Sequence, residues 1–245
     1  MSSVAILIPS YKRPEVLKLT LEKLFTNTTV GSYPIGIFVA LNKVTEESEK
    51  VVKPFISVAD SLSIKYDWVS YKHNIGKANA LNNLFNKFCG GYEYIVTMDN
   101  DMVIDMPWGH LLDAAKEVNF DLMGFGSSTF WAHLPSRELC EGDYRIIAED
   151  YRLYRLDQIA GGMMLFPRQI LEKHRWSNGS SSGVYGFDDA QMCLDVEKKY
   201  VLFWDRPWLS HDILSRSTEK LSEYQDKKEE LFRRGIYVFD AGWDE

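Results

Sequence analysis

Long apolar runs are missing from this chain of 245 residues. The opening MSSVAILIPSYKRP has no cationic lead and only the short apolar stretch 4–8 before Pro9, so it reads as neither a secretion signal nor a membrane span. Cysteine is scarce. Cys89, Cys140 and Cys193 lie far apart with no metal-ligand spacing, and three thiols cannot all pair. Reduced, buried thiols and a cytoplasmic location are the resulting expectations, and they leave the sequons at Asn27 and Asn178 without consequence. Positive charge is also short: 28 Lys and Arg against 35 Asp and Glu leave −7, which argues against a general polyanion-binding surface without forbidding a local basic strip. Repeats, low-complexity tracts and linkers are absent as well. What remains is core-forming material, 45% hydrophobic and 13% aromatic, enough for one mixed domain or two small ones.

Periodicity organises the first half. The run 4–8 predicts a strand, and the segment 14–25, with Pro14 in its first turn and Leu17, Leu21 and Leu24 at helical spacing, predicts a helix. The unit recurs as strand 36–41 before helix 45–55, and as strand 66–71 before helix 76–88, whose Leu81, Leu84, Phe85 and Phe88 share a face. Residues 94–98 make a fourth strand. Alternation of this kind implies a largely parallel sheet with its ligand at the carboxyl ends of the strands. Beyond Met106 the rhythm loosens. Helices are expected at 107–118, 167–174, 188–200 and 216–234, strands at 121–126, 161–166 and 201–204, a long irregular region between the strands 121–126 and 161–166, which includes 143–158, and a Gly/Ser-rich loop at 177–186.

Four places carry candidate chemistry. Asp99 and Asp101 follow an apolar strand two residues apart, where side chains i and i+2 point the same way, and paired hard oxygens suit Mg2+ or Mn2+. A turn stabilised by Asx hydrogen bonds accounts for D-x-D equally well. Gly76 opens a helix whose free N–H groups, with Lys77 beside them, suit a phosphate; a plain cap would use the same glycine. Asp188 and Asp189 begin a helix after a Gly/Ser loop, either as dipole-compensating caps or with one of them as a general base. His211, in WLSHD, is either packed or ligating.

In their order along the chain these segments resemble the GT-A fold glycosyltransferases of family 2, and the resemblance spans nearly the whole sequence. ILIPSYKRPEVLKLTLEKL is similar to the family's opening strand and helix, NIGKANALNNLF to its Asn-x-Gly segment, and TMDNDMVI to its metal-binding D-x-D. GGMMLFPRQIL, YGFDDAQMCLDV and WLSHD are similar to segments of members that include rhamnosyl- and galactofuranosyltransferases, and this is the most specific match. The resemblance implies an α/β fold: one GT-A domain with a Rossmann-like, mostly parallel central sheet flanked by helices. A nucleotide-sugar half (1–106) would precede an irregular acceptor and catalytic half (107–215), then a C-terminal helix and tail (216–245).

It further implies that Pro9, Tyr11, Arg13, Asn42, Gly76, Lys77, Asp99 and Asn100 meet the donor, and that Asp99, Asp101 and His211 surround a divalent Mn2+ or Mg2+ ion. Asp189 would be the base, with Asp188 replacing the family's usual Glu beside it. One base opposite the leaving nucleoside diphosphate implies inversion. Gly161 and Gly162 would let the acceptor come close to the backbone. Two departures stand out. The family's acidic pair at the end of the second strand is replaced by Leu41 and Asn42, and Q-x-x-R-W is missing, which favours one sugar per event over processive extrusion.

The acceptor is expected near Tyr151 and Arg155, in a stretch that interleaves Tyr144–Arg145, Tyr151–Arg152 and Tyr154–Arg155. Residues 144–176 carry six Lys/Arg against four Asp/Glu. Packed aromatics with surface arginines would explain this, and so would stacking on sugars or nucleobases. A saccharide or other small hydroxyl acceptor is the first expectation and a hydroxymethylated DNA base the second. A non-catalytic metal- or sugar-binding module of the same fold is the reading from another class.

Overall fold

The computed structural model describes residues 3–28, 33–127, 144–148, 151–156, 159, 162–177, 188–204 and 206–211, with side chains described for all of these except 144–148, 188–190 and 211. The first half follows the strand–helix alternation. Strands β1 (Val4–Tyr11), β2 (Ile35–Asn42), β3 (Lys65–Tyr71) and β4 (Tyr94–Met98) alternate with helices α1 (Pro14–Asn27), α2 (Glu46–Val52), α3 (Phe55–Ser61) and α4 (Lys77–Phe88). β2 is buried at every position and β1 at all but its last, which is why both read as apolar runs without alternation. α1 starts on Pro14, whose missing N–H costs nothing there, and buries Leu17, Leu21 and Leu24 against the sheet.

The second half adds β5 (Met102–Ile104), α5 (Gly109–Lys116), β6 (Leu122–Ser127), β7 (Tyr144–Ala148), β8 (Tyr151–Arg155), β9 (Met163–Pro167), α6 (Arg168–Lys173), α7 (Asp188–Asp195), β10 (Lys199–Trp204) and β11 (Leu209–His211). Among the described residues nine strands form one sheet in the order β3-β2-β1-β4-β9-β6-β10-β8-β7. Parallel ladders join β3, β2, β1 and β4, while β9 opposes both β4 and β6, so β6 and its parallel neighbour β10 point with β1. Of the described strands, β8 and β9 run against the rest of this mostly parallel sheet. The carboxyl ends of β1, β2, β3 and β4 therefore share one edge.

Several boundaries differ from expectation for physical reasons. The helix expected over 45–55 is two helices, because Pro54 interrupts the run and α3 restarts after it. The stretch 143–158, expected to be irregular, holds the antiparallel pair β7–β8. The helix beginning at 188 stops at Asp195, and β10 already starts at Lys199. β5 and β11 form a separate two-stranded ladder that pairs Leu209 with Ile104 and His211 with Met102. Cys89 is a free, buried thiol that burial pushes up to about 12, which makes it inert, and Cys193 is buried with its sulfur accepting from the Ile159 N–H at 3.3 Å. Cys140, the loop from 178 onward and the charged segment 216–234 lie outside the described residues.

Candidate functional site

β4 ends at Met98, and the chain turns at once: the Met102 N–H donates to the Asp99 carbonyl (3.2 Å), closing a four-residue turn before β5. The period-two argument for the two carboxylates therefore does not apply, since both lie in a turn and not on a strand. They converge on cations instead. Lys77 Nζ lies 2.9 Å from Asp99 Oδ1, and Arg13 Nη1 lies 3.4 Å from Asp101 Oδ2. All four side chains are about a third exposed. The charges are thus neutralised in place while one side remains reachable from solvent.

Each cation is delivered by an unusual backbone. Lys77 is the first residue of α4, and Gly76 before it has φ 83° and ψ 157°, a conformation essentially reserved for glycine. Asn74 Oδ1 accepts from the Gly76 N–H at 3.0 Å, and Asn42 Oδ1 accepts from the Ile75 N–H at 2.8 Å. Asn42 is buried and fixes the loop that carries Lys77, a positioning contact that the expected donor role did not anticipate. Arg13 and Lys12 are both left-handed (φ 56° and 55°), a strain of about 1–3 kcal/mol each of the kind found where a loop must aim a side chain. Tyr11 ends β1 opposite Asn42 with the Lys12 ammonium 5.3 Å from its ring centroid, whereas Pro9 is buried inside β1 opposite Ala40, behind the loop.

Other groups hold the turn. Asn100 Nδ2 donates to Ser10 Oγ (3.2 Å), and its carbonyl accepts from the buried Thr20 hydroxyl (2.7 Å). Asn27 Nδ2 donates to the Ile104 carbonyl (2.7 Å), and Lys23 pairs with Asp105 (2.8 Å). The Asp99 N–H donates to the Gly162 carbonyl at 2.9 Å, so the glycine segment touches the D-x-D turn directly. Sequence reasoning missed Ser10 and Thr20. A lone hydroxyl inside the Leu17–Leu21–Leu24 stripe was the available signal.

The β11–β5 ladder sets the His211 backbone opposite Met102, next to Asp101 in the chain. Asp188 and Asp189 form the start of α7. The side chains of His211, Asp188 and Asp189, and the whole of Gly161, lie outside the described residues. Among the described residues no three His, Cys, Asp or Glu side chains gather into a metal cluster. Tyr151 stands opposite Trp204 at the carboxyl end of β10. Arg155, expected beside it at the acceptor, is instead exposed at the amino end of β10 opposite Tyr200 and four strands from β4, because a five-residue strand separates its ends.

The family model described as Glycosyl transferase family 2 matches residues 5–175, a span that contains Arg13, Lys77, Asp99 and Asp101 and stops before α7. No curated protein matches the chain. Among solved structures, Staphylococcus aureus TarS 1–349 is similar at a TM-score of 0.61 and 10% identity over 83% of this chain and 60% of that one. The mannosyltransferase PcManGT from Pyrobaculum calidifontis, solved with GDP-Man and Mn2+, gives 0.56 and 16% over 84% and 58%. GalNAc-T7, solved with UDP, GalNAc and Mn2+, gives 0.60 and 12% over 86% and 44%. At such identities the likeness is one of fold, the GT-A fold, and the chain spans about three-fifths or less of each of these structures.

Proposed function

The chain belongs to glycosyl transferase family 2, and from that premise we propose that it moves one sugar from a nucleoside-diphosphate sugar to an acceptor hydroxyl, with inversion and with a divalent ion. The observation that carries the proposal is the pairing of Lys77 with Asp99 and Arg13 with Asp101 at the carboxyl edge of the sheet. Two hard carboxylates, each about a third exposed, suit Mn2+ or Mg2+, with diphosphate and water oxygens completing the shell. The ion would supply neutralisation of the departing diphosphate. Structures of similar fold solved with UDP-GlcNAc, or with GDP-Man and Mn2+, support a hexosyl donor and manganese.

The chain's own groups then have separate tasks. The Lys77 ammonium and the first-turn N–H groups of α4 hold the diphosphate oxygens. Gly162, whose carbonyl accepts from the Asp99 N–H, would let the acceptor approach the backbone. Asp189 takes the proton from the acceptor hydroxyl as its oxygen bonds to the anomeric carbon and the bond to the nucleoside diphosphate breaks on the opposite face. His211, whose backbone pairs with Met102, would be a further protein ligand of the ion.

Calorimetry of UDP and GDP with Mn2+, followed by turnover of their sugars, tests this. Asp101→Ala is expected to abolish ion-dependent nucleotide affinity. Asp189→Asn is expected to keep that affinity and lower turnover by two or more orders of magnitude, in the range expected for general-base catalysis. Full turnover in Asp189→Asn would falsify the base assignment, and unchanged affinity in Asp101→Ala removes the ion site.

A further inference from the structure

We propose that His110, Tyr151 and Trp204 form a saccharide-binding subsite, in which the partly exposed His110 and Tyr151 rings take the sugar's C–H surface while His110 Nε2 and Trp204 Nε1 bond its hydroxyls. The identity of the ligand as part of the acceptor rests on the glycosyl-transfer reading. The three side chains come from α5, the start of β8 and the end of β10, and they meet as one cluster. His110 packs edge-on against Trp204 at 4.6 Å between ring centroids, and Tyr151 lies 5.7 Å from His110 and 6.1 Å from Trp204.

The two nitrogens are the unusual feature. Both are buried with no hydrogen-bond partner among the described residues, and Trp204 is only 8% exposed. A buried polar atom left unpaired is destabilising, and such atoms are rare enough in folded proteins that each calls for an explanation. An indole N–H only donates. Imidazole Nε2, in the tautomer protonated at Nδ1, only accepts, and burial holds His110 below its ordinary value and so neutral at pH 7. A hydroxyl has the chemistry for either, because its oxygen accepts from an indole N–H and its hydrogen is donated to an imidazole nitrogen. Tyr151 and His110 are only partly buried, so the cluster reaches the surface.

Its position fits an acceptor. Trp204 lies 6.2 Å from Trp208, which leads into β11, and β11 ends with His211 opposite Met102 beside the D-x-D turn. At about 3.3 Å per residue the three-residue strand spans roughly 10 Å. The subsite is therefore remote from the reacting atoms. It would hold a part of the acceptor other than the attacking hydroxyl.

Trapped water would also satisfy these nitrogens, and the experiment separates the two occupants. In 15N-labelled protein the Trp204 indole signal is assigned by its loss in Trp204→Phe, and maltotriose, cellotriose and chitotriose are titrated separately to millimolar concentration. At least one trisaccharide is expected to move this signal saturably. His110→Phe, which retains ring packing, is expected to keep the melting temperature and weaken that binding about fivefold. A Trp204 indole indifferent to all three sugars means a water site only and overturns the proposal. So does movement by a hydroxymethylcytosine oligonucleotide alone. UDP and GDP with Mn2+ are titrated into the same protein: nucleotide binding beside an unmoved indole overturns the subsite and leaves glycosyl transfer standing, whereas a moved indole without nucleotide binding supports the subsite and overturns the transfer reading.

Discussion

Arg13 and Lys77 reach one turn from different strand ends, and the strain needed to aim them sits in single residues. At Gly76 (φ 83°, ψ 157°) an L side chain is disfavoured by about 1–3 kcal/mol. Gly76→Ala is expected to lower stability by about that amount in urea denaturation and to weaken nucleotide affinity by shifting Lys77; unaltered affinity would mean that the Lys77 position does not depend on this backbone. His110 offers a second test, through pH. Burial lowers its proton affinity in the folded chain from the ordinary 6.5, so below that pH the unfolded chain takes up a proton that the folded chain refuses. Stability at this residue is therefore present above 6.5 and is lost as pH falls toward the folded value. His110→Phe removes that dependence. Urea midpoints for the wild type and the variant are expected to match near pH 7 and to part in the variant's favour toward pH 5, and a difference that does not change with pH would contradict the assignment.

One face of α1 acts as a clamp. Thr20, Lys23 and Asn27, at helical spacing, contact the chain at Asn100, Asp105 and Ile104. The buried Thr20 hydroxyl matters more than the half-exposed Lys23–Asp105 pair, which solvent screens. Thr20→Val is expected to cost about 1 kcal/mol and weaken nucleotide binding by leaving the Asn100 carbonyl unpaired. Lys23→Ala is expected to change stability by less than about 0.5 kcal/mol. Equal effects of the two substitutions in denaturation and calorimetry would contradict the clamp. This face also explains what was legible in the sequence. The leucine stripe announced α1 because burial requires apolar residues at helical spacing, whereas the clamp is three polar residues whose partners lie some 80 positions away, and nothing local marks those partners. β5 and β11 were missed for the same reason: strands of three residues are too short to show alternation, and only their mutual pairing defines them.

Across the whole molecule, the strand–helix alternation predicted the mostly parallel sheet and placed Asp99 and Asp101 at its carboxyl edge. It could not foresee that Arg155 stands at the far end of β8, because that depends on β8 running antiparallel to β10. The same edge creates an electrostatic conflict. A chain of net charge −7 repels an anionic nucleotide at long range, so binding must come from the local cations and from the ion held by Asp99 and Asp101. A ligand at one hundred times its Kd adds about 2.7 kcal/mol to stability, which for a chain of this size raises the melting temperature by roughly 5–10 °C. UDP or GDP with Mn2+ is expected to give such a rise in the wild type, and EDTA is expected to abolish it by removing the positive charge that offsets the diphosphate. Salt should reduce the rise, since the pairs at the turn are partly exposed and screened over about 10 Å at 0.1 M. A nucleotide-induced rise that survives EDTA would show that Lys77 and Arg13 suffice to hold the diphosphate, and the ion would lose its place in the site.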